Sequence, residues 1–318
     1  MLRYILLRIL WLIPIIIGVS FIIFVLMDLA PGSIIDAWVT DQMTQEDVEM
    51  LRVQFGLDKP MVYRFGIYML GLVQGDLGIS MTNGLPVWDT YISRFPRTLE
   101  ISLIGLVVGV AVAIPLGIIA AKHAGTIVDN VTTVFSMFGL TMPVFWIGLI
   151  LMVFFSVNLK VFPAGWDGSW KGYVMPSICI ALIMAGTTVR QTRSSMLEVK
   201  RQDYLSTARS KGVSEMRVTT NHALRNAWIP VITTIGITLS RILAGSAVVE
   251  SVFSWPGVGT LTINAVRNRD TTLATGCVIL TAIMYVLMLL LVDVLYALVD
   301  PRIRVQYTPA RRKRRAAA

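Results

Sequence analysis

The 318-residue chain is 55% hydrophobic and only 15% charged, and its mean hydropathy is +0.70. A soluble domain of this length carries nearer a quarter charged residues, so the composition argues against a water-soluble enzyme and for a membrane bundle. The net charge of +9 does not point to nucleic acid, because Lys and Arg flank apolar runs as the positive-inside rule describes.

Arg3 and Arg8 stand before an apolar run that extends to Met27. That run is longer than the apolar core of a cleavable signal, and Ala30-Pro31-Gly32 follows it. An uncleaved spanning helix is expected over 8–28. The next seventy residues are too many for a structureless connection. Thr44 followed by Asp47 suits a capping box, which predicts a short helix from Gln45 to Phe55 ended by Gly56. Asp58-Lys59-Pro60 reads as a turn, and a second short helix is expected from about Val62 to Val73. This segment holds eight acidic and five basic residues, which suits either a docking face or a solvated cap.

Five more apolar runs follow, at about 99–121, 130–157, 173–192, 227–250 and 273–298, each near the twenty residues that a ~30 Å hydrocarbon core requires. The run at 173–192 is the weakest, since it ends in Thr187, Thr188 and Arg190. Pro115, Pro143 and Pro176 lie in or at the start of spans, where neighbouring helices can satisfy the freed carbonyls. With the N-terminus inside, the cytoplasmic pieces hold 18 basic residues and the longer external pieces nine, which favours both termini inside. The expectation is an all-α polytopic membrane helix bundle of six spans. Residues 1–98 carry the first span and the external segment, 99–304 a five-helix core with a cytoplasmic loop at 194–226, and 305–318 a basic tail. The run Arg311-Arg312-Lys313-Arg314-Arg315 fits a topology determinant or a contact with anionic membrane lipid.

Catalytic and metal motifs do not emerge. His123 and His222 are far apart, and Cys179 and Cys277 fall inside apolar runs as small buried hydrophobes would. There is no Gly-x-Ser-x-Gly elbow. No Gly-x-x-x-x-Gly-Lys-Ser/Thr loop occurs either, so any nucleotide that drives this protein must be bound by another chain.

The loop at 203–230 carries more information. Asp203 to Lys211 suits a short helix, Gly212 ends it, and Ser214 can cap a second helix leading past His222 to Pro230. Ala208 and Gly212 are small enough to let another backbone approach, and Arg209 and Lys211 can pair with acids on a partner. By chemistry alone this is either a force-transmitting helix–turn–helix or an amphipathic linker on the membrane surface.

The same stretch resembles the signature loop of ATP-binding-cassette importer permeases: Glu-Ala-Ala, three residues, Gly, nine residues, Ile-x-Leu-Pro. Ser206-Thr207-Ala208 occupies the first place, Gly212 the glycine and Leu224 the later leucine, while Arg225 stands where the general motif has proline. These departures resemble the dipeptide/oligopeptide/nickel branch. So do Leu29-Ala30-Pro31-Gly32, Phe55-Gly56-Leu57-Asp58-Lys59-Pro60 and Gln74-Gly75-Asp76-Leu77-Gly78-Ile79-Ser80. Further along the chain, Ser254-Trp255-Pro256-Gly257-Val258-Gly259, Asn268-Arg269-Asp270 and Asp300-Pro301-Arg302-Ile303-Arg304 match as well. Their order resembles the first of the two permeases such systems use.

The resemblance implies a type I importer permease fold in the cytoplasmic membrane of a bacterium or archaeon. It implies a homologous second permease, an external binding protein that delivers peptide, and two ATPase subunits that hold the ATP and Mg²⁺, with no cofactor in this chain. Asp203, Tyr204, Thr207, Ala208, Arg209, Lys211 and Gly212 would then contact the ATPases. A nickel-chelate or glutathione-type substrate is the alternative within the branch.

Ionisable groups inside spans invite a functional reading. Asp28, Glu100, Glu250 and Asp293 lie near expected span ends, where contact with solvent suffices. Asp293 could also pair with a basic residue at the cytoplasmic end. Arg241 falls mid-span, where it suits either a peptide carboxylate in the pathway or a structural contact with the second permease. An autonomous ion-coupled carrier would need mid-membrane Asp, Glu or His relays, and an intramembrane enzyme a nucleophile–base pair; the spans offer neither.

Overall fold

A computed structural model describes residues 2–29, 35, 43–54 and 56–299, with the side chains of 2–5, 8, 244–245 and 293–299 left out. Ala30-Pro31-Gly32, Phe55, the Asp293 side chain, the Asp300–Arg304 motif and the basic tail therefore lie outside the described residues. Helices dominate, and among the described residues the only β pairing is an isolated bridge between Ile79 and Pro86.

Helix α1 spans Leu2–Leu29. The external segment contributes α2, Gln45–Gln54, and α3, Met61–Val73. The expected capping pair forms: the Thr44 N–H donates to Asp47 Oδ2 at 2.8 Å and the Asp47 N–H returns to Thr44 Oγ1 at 3.3 Å. These Thr44 donors hold the Asp47 carboxyl below its usual pKa. Gly56 then takes φ +66° and reverses the chain toward α3.

Helix α4 runs from Val87 to Lys122, about 54 Å at 1.5 Å per residue. It begins twelve residues before the apolar run at 99. Asp89, Arg94 and Arg97 hide this extension from a hydropathy reading, while Val87 and Tyr91 on its other side are buried against Leu273, Ala274 and Cys277.

The expected span at 130–157 is not one helix. Helix α5, Ile127–Thr141, and helix α6, Val144–Leu151, which continues as a π-helix to Asn158, meet at 103°. Pro143 is the cause. It disfavours the helical conformation in the residue before it, and Met142 (ψ 135°) and Pro143 (ψ 131°) are both extended. Two extended residues in succession redirect the chain, so this proline is not accommodated inside a straight span.

Helix α7, Val174–Lys200, overturns the ranking by hydropathy. The run expected to be weakest is the central helix of the bundle, packed between α4, α5 and α10 (Leu224–Gly245). Thr188, Thr192 and Ser195 are buried on it. A helix surrounded by other helices need not be as apolar as one facing lipid. Close approach to α4 depends on glycine: a Cβ at Gly109 would come within 2.8 Å of Met184 Cβ and 2.9 Å of the Ala181 carbonyl oxygen.

After α10 the chain turns at Ser246 into the short helix α11, Ala247–Val252, then α12, Val258–Arg267, and finally α13, Thr271–Val299, on which α1 packs. The fifth expected span, 227–250, is thus broken at Ser246. Among the described residues, five helices are long and apolar enough to cross a membrane, and six if the bent α5–α6 pair counts as one span.

Candidate functional site

The loop between α7 and α10 folds as three short pieces: α8, Asp203–Ser210; α9, Glu215–Arg217; and a π-helix, Val218–Ala223, that leads directly into α10. Gly212 takes φ +78°. Its N–H donates to the Arg209 carbonyl at 2.9 Å, and the Val213 N–H donates to that of Ala208 at 3.2 Å. These bonds satisfy the end of α8 in a conformation that a side chain strains. A Cβ on Gly212 would meet nothing within 4 Å, so this glycine serves backbone geometry. Ser214 stands at the N-cap of α9 without a side-chain cap bond; the Val218 N–H instead reaches its carbonyl.

Leu205 and Ala208, three residues apart, share the inner face of α8 and are buried with Ala121, Met196, Val218, Ala223 and Ala227. The structure therefore corrects the expectation for Ala208, which packs on this chain's own core instead of standing open to a partner. Asp203, Tyr204, Thr207, Arg209, Lys211 and Gly212 are all exposed. Arg209 is already engaged, its Nε donating to Glu215 Oε1 at 2.6 Å. The Tyr204 hydroxyl accepts from Asn226 Nδ2 at 2.8 Å, tying α8 to α10. Lys211 makes no ion pair among the described residues, and neither do Arg217 and Arg225, so the loop leaves several cations available.

A pair that sequence reasoning missed braces the base of this loop. Arg193 near the end of α7 grips Asp129 of α5 in a two-pronged contact, Nε to Oδ1 at 2.5 Å and Nη2 to Oδ2 at 2.7 Å. The Gly125 N–H adds a third bond to Asp129 at 2.9 Å. The two residues are 64 apart in the sequence, and only the packing of α5 on α7 brings them together.

Arg241 lies about one turn, or roughly 6 Å, before the end of α10, not in the middle of a span, because the helix stops at Gly245. It is exposed, between buried Ser240 and Ile242, and makes no hydrogen bond or ion pair among the described residues. Its position fits a group facing outside this chain.

Two of the family-like motifs interlock at the opposite end of the bundle. Asp270 is fully buried and accepts from the Ser80 hydroxyl (2.6 Å) and the Thr82 N–H (3.0 Å) on Oδ2, while Oδ1 caps α13 through the Leu273 N–H (2.9 Å). The stretches Gln74–Ser80 and Asn268–Asp270 are thus halves of one joint.

Glu250 is also buried, contrary to the expectation of a solvated span end. Its Oε1 accepts from the hydroxyls of Thr98 (2.7 Å) and Ser246 (2.8 Å), and Oε2 from the Thr260 N–H (3.0 Å). Thr98 Oγ1 in turn accepts from the Val258 N–H at 2.8 Å. Glu250 and Thr98 together satisfy two of the free N–H groups that open α12. Gly257 leaves room for them: a Cβ there would stand 2.4 Å from Glu250 Oε2 and 2.5 Å from Thr98 Oγ1.

Nearby, Trp255 is buried edge-to-face against Trp166 and Tyr173, and its Nε1 donates to the Arg97 carbonyl at 3.0 Å. Arg97 bonds Glu100 (3.1 Å) and the Tyr173 hydroxyl (2.7 Å). Asp28 pairs with Arg64 of α3. Both Asp28 and Glu100 are therefore partnered, although half-exposed. Among the described residues no cluster of three His, Cys, Asp or Glu could hold a metal ion.

Two family models cover nearly all of the chain. "Binding-protein-dependent transport system inner membrane component" matches residues 113–305, and the N-terminal model of the same transport systems matches 1–102. The dipeptide transport system permease protein DppB of Escherichia coli K12 is 37% identical, over 96% of this chain and 99% of its own. The glutathione transport system permease protein GsiC of Escherichia coli O6:H1 is 38% identical at the same coverage. Among solved structures, the inward-facing MetNI methionine transporter matches with a TM-score of 0.57 at 16% identity, over 66% of this chain and 95% of the other. An amino acid ABC transporter solved with histidines gives 0.51 at 17%, over 67% and 94%. These two share the fold alone. The chain belongs to the binding-protein-dependent transport system inner membrane component family, as a permease subunit of an ATP-binding-cassette importer in the dipeptide/oligopeptide/nickel branch, and is a transport subunit, not an enzyme.

Proposed function

We propose that this permease pairs with a homologous second permease to form a pathway for di- or oligopeptides delivered by an external binding protein. Two ATPase subunits that hold ATP and Mg²⁺ drive it through the outer face of α8. The exposed row Asp203, Tyr204, Thr207, Arg209 and Lys211 carries this reading: it is fixed to the bundle through Leu205 and Ala208, so a push on α8 is passed directly to α7 and α10. A rigid element between two helices can couple ATPase closure to opening of the bundle. The likeness to a dipeptide permease supports peptide as the substrate, and the equal likeness to a glutathione permease supports glutathione as the second reading. The bacterial inner membrane with both termini inside agrees with the distribution of Lys and Arg.

Gly212 supplies the test. Gly212→Val leaves space around the side chain but strains a positive φ, so α8 loses its end and its face shifts. In the reconstituted four-subunit importer the expected result is ATPase activity with peptide uptake reduced at least tenfold, or failure of the ATPases to co-purify. Coupled uptake at the normal rate would reduce the loop to a surface linker.

A further inference from the structure

Helix α3 is an inverted amphipathic helix. Its inward side carries Met61, Phe65, Tyr68, Met69 and Leu72, packed on Phe24 and Ile279. Its one charged residue, Arg64, also turns inward to pair with Asp28. The outward side carries Val62, Ile67, Leu70 and Val73, exposed by 69%, 55%, 65% and 87%. A helix washed by solvent on that side would place its polar residues there. Here the only polar group among the large side chains is the hydroxyl of Tyr63, and that ring favours membrane–water boundaries.

The depth of α3 agrees. The Phe65 ring sits 5.4 Å from Phe21 and 5.5 Å from Phe24, which are roughly 12 and 8 Å along α1 from its end at Leu29. Thirteen residues reach only about 20 Å as a helix, too short to cross a ~30 Å core. Ile22 and Leu26 in the same stretch of α1 are also apolar and exposed.

We propose that α3 is an in-plane membrane helix, its outward face seated in the acyl region of the external leaflet beside α1. The external segment is then anchored in lipid at its middle. The occupant of this face is lipid because α3 packs directly on a spanning helix, through Phe65 against Phe21 and Phe24, and its outward side chains carry no charge with which to select a protein partner.

The test uses the complete importer in phospholipid bilayers, with spin labels on Leu70→Cys and, in a second variant, Val73→Cys. Glu46→Cys on α2 is the aqueous control, and the unsubstituted chain with its buried Cys179 and Cys277 is the background. Collisional access to oxygen should exceed access to a nickel chelate several-fold at positions 70 and 73, with the reverse at 46. Nickel access at 70 and 73 equal to that at 46 would place the face in water and overturn the proposal. Low access to both reagents would show a protein covering, such as the second permease or the binding protein, and would overturn it equally. If the label at 70 prevents assembly, the reading at 73 decides.

Discussion

Replacing Glu250 by alanine tests whether the buried carboxylate is the knot joining α4, α11 and α12. The change removes the acceptor for three donors: the Thr98 and Ser246 hydroxyls and the Thr260 N–H. Each buried donor left unpaired costs about 1–3 kcal/mol. Thr260 is third in its helix, so its N–H has no intrahelical acceptor to fall back on, whereas the two hydroxyls can rotate. The expected loss is about 3–5 kcal/mol for Glu250→Ala. Glu250→Gln keeps the shape, and its amide can present oxygen to Thr260 and hydrogens to the hydroxyl oxygens, so it should lose only about 1 kcal/mol. Reversible unfolding of the purified chain in mixed detergent micelles, followed by circular dichroism, measures both. Equal stability of the alanine and glutamine variants, or an alanine variant within about 1 kcal/mol of the unsubstituted chain, would refute the reasoning.

Three further outcomes follow from the described contacts. In the Ser80–Asp270 joint, a double-mutant cycle of Ser80→Ala and Asp270→Ala should show coupling of about 1–2 kcal/mol in the same unfolding assay; additive effects would mean that the hydroxyl bond contributes nothing. Asp129→Ala strands Arg193, but the guanidinium side chain is 32% exposed and can reach water. The expected cost is therefore about 1–3 kcal/mol, below that of a fully buried pair, and Arg193→Gln should restore part of it in the Asp129→Ala background. Arg241→Gln should raise the peptide concentration for half-maximal uptake several-fold while the complex still assembles; unchanged kinetics would exclude a pathway role.

Much of this molecule is legible from local chemistry alone. The Thr44–Asp47 capping pair, the turn at Gly56 and the α8–Gly212 turn depend on neighbouring residues, and the structure places each where the local signal does, whereas the apolar runs mark helical regions but not their breaks. The ordered motifs were enough to suggest the family. What only the tertiary structure decided depends on neighbours distant in sequence. Hydropathy measures transfer to lipid, so it undervalued α7, whose polar residues face other helices, and missed the first twelve residues of α4, whose partner is α13. Glu250 looked like a span-end carboxylate, and the donors that surround Glu250, Asp270 and Asp129 in the fold lie 3–190 residues away. Ala208 looked available to a partner for the same reason: its small size is visible in the sequence, but the face of α8 it occupies depends on what Leu205 packs against.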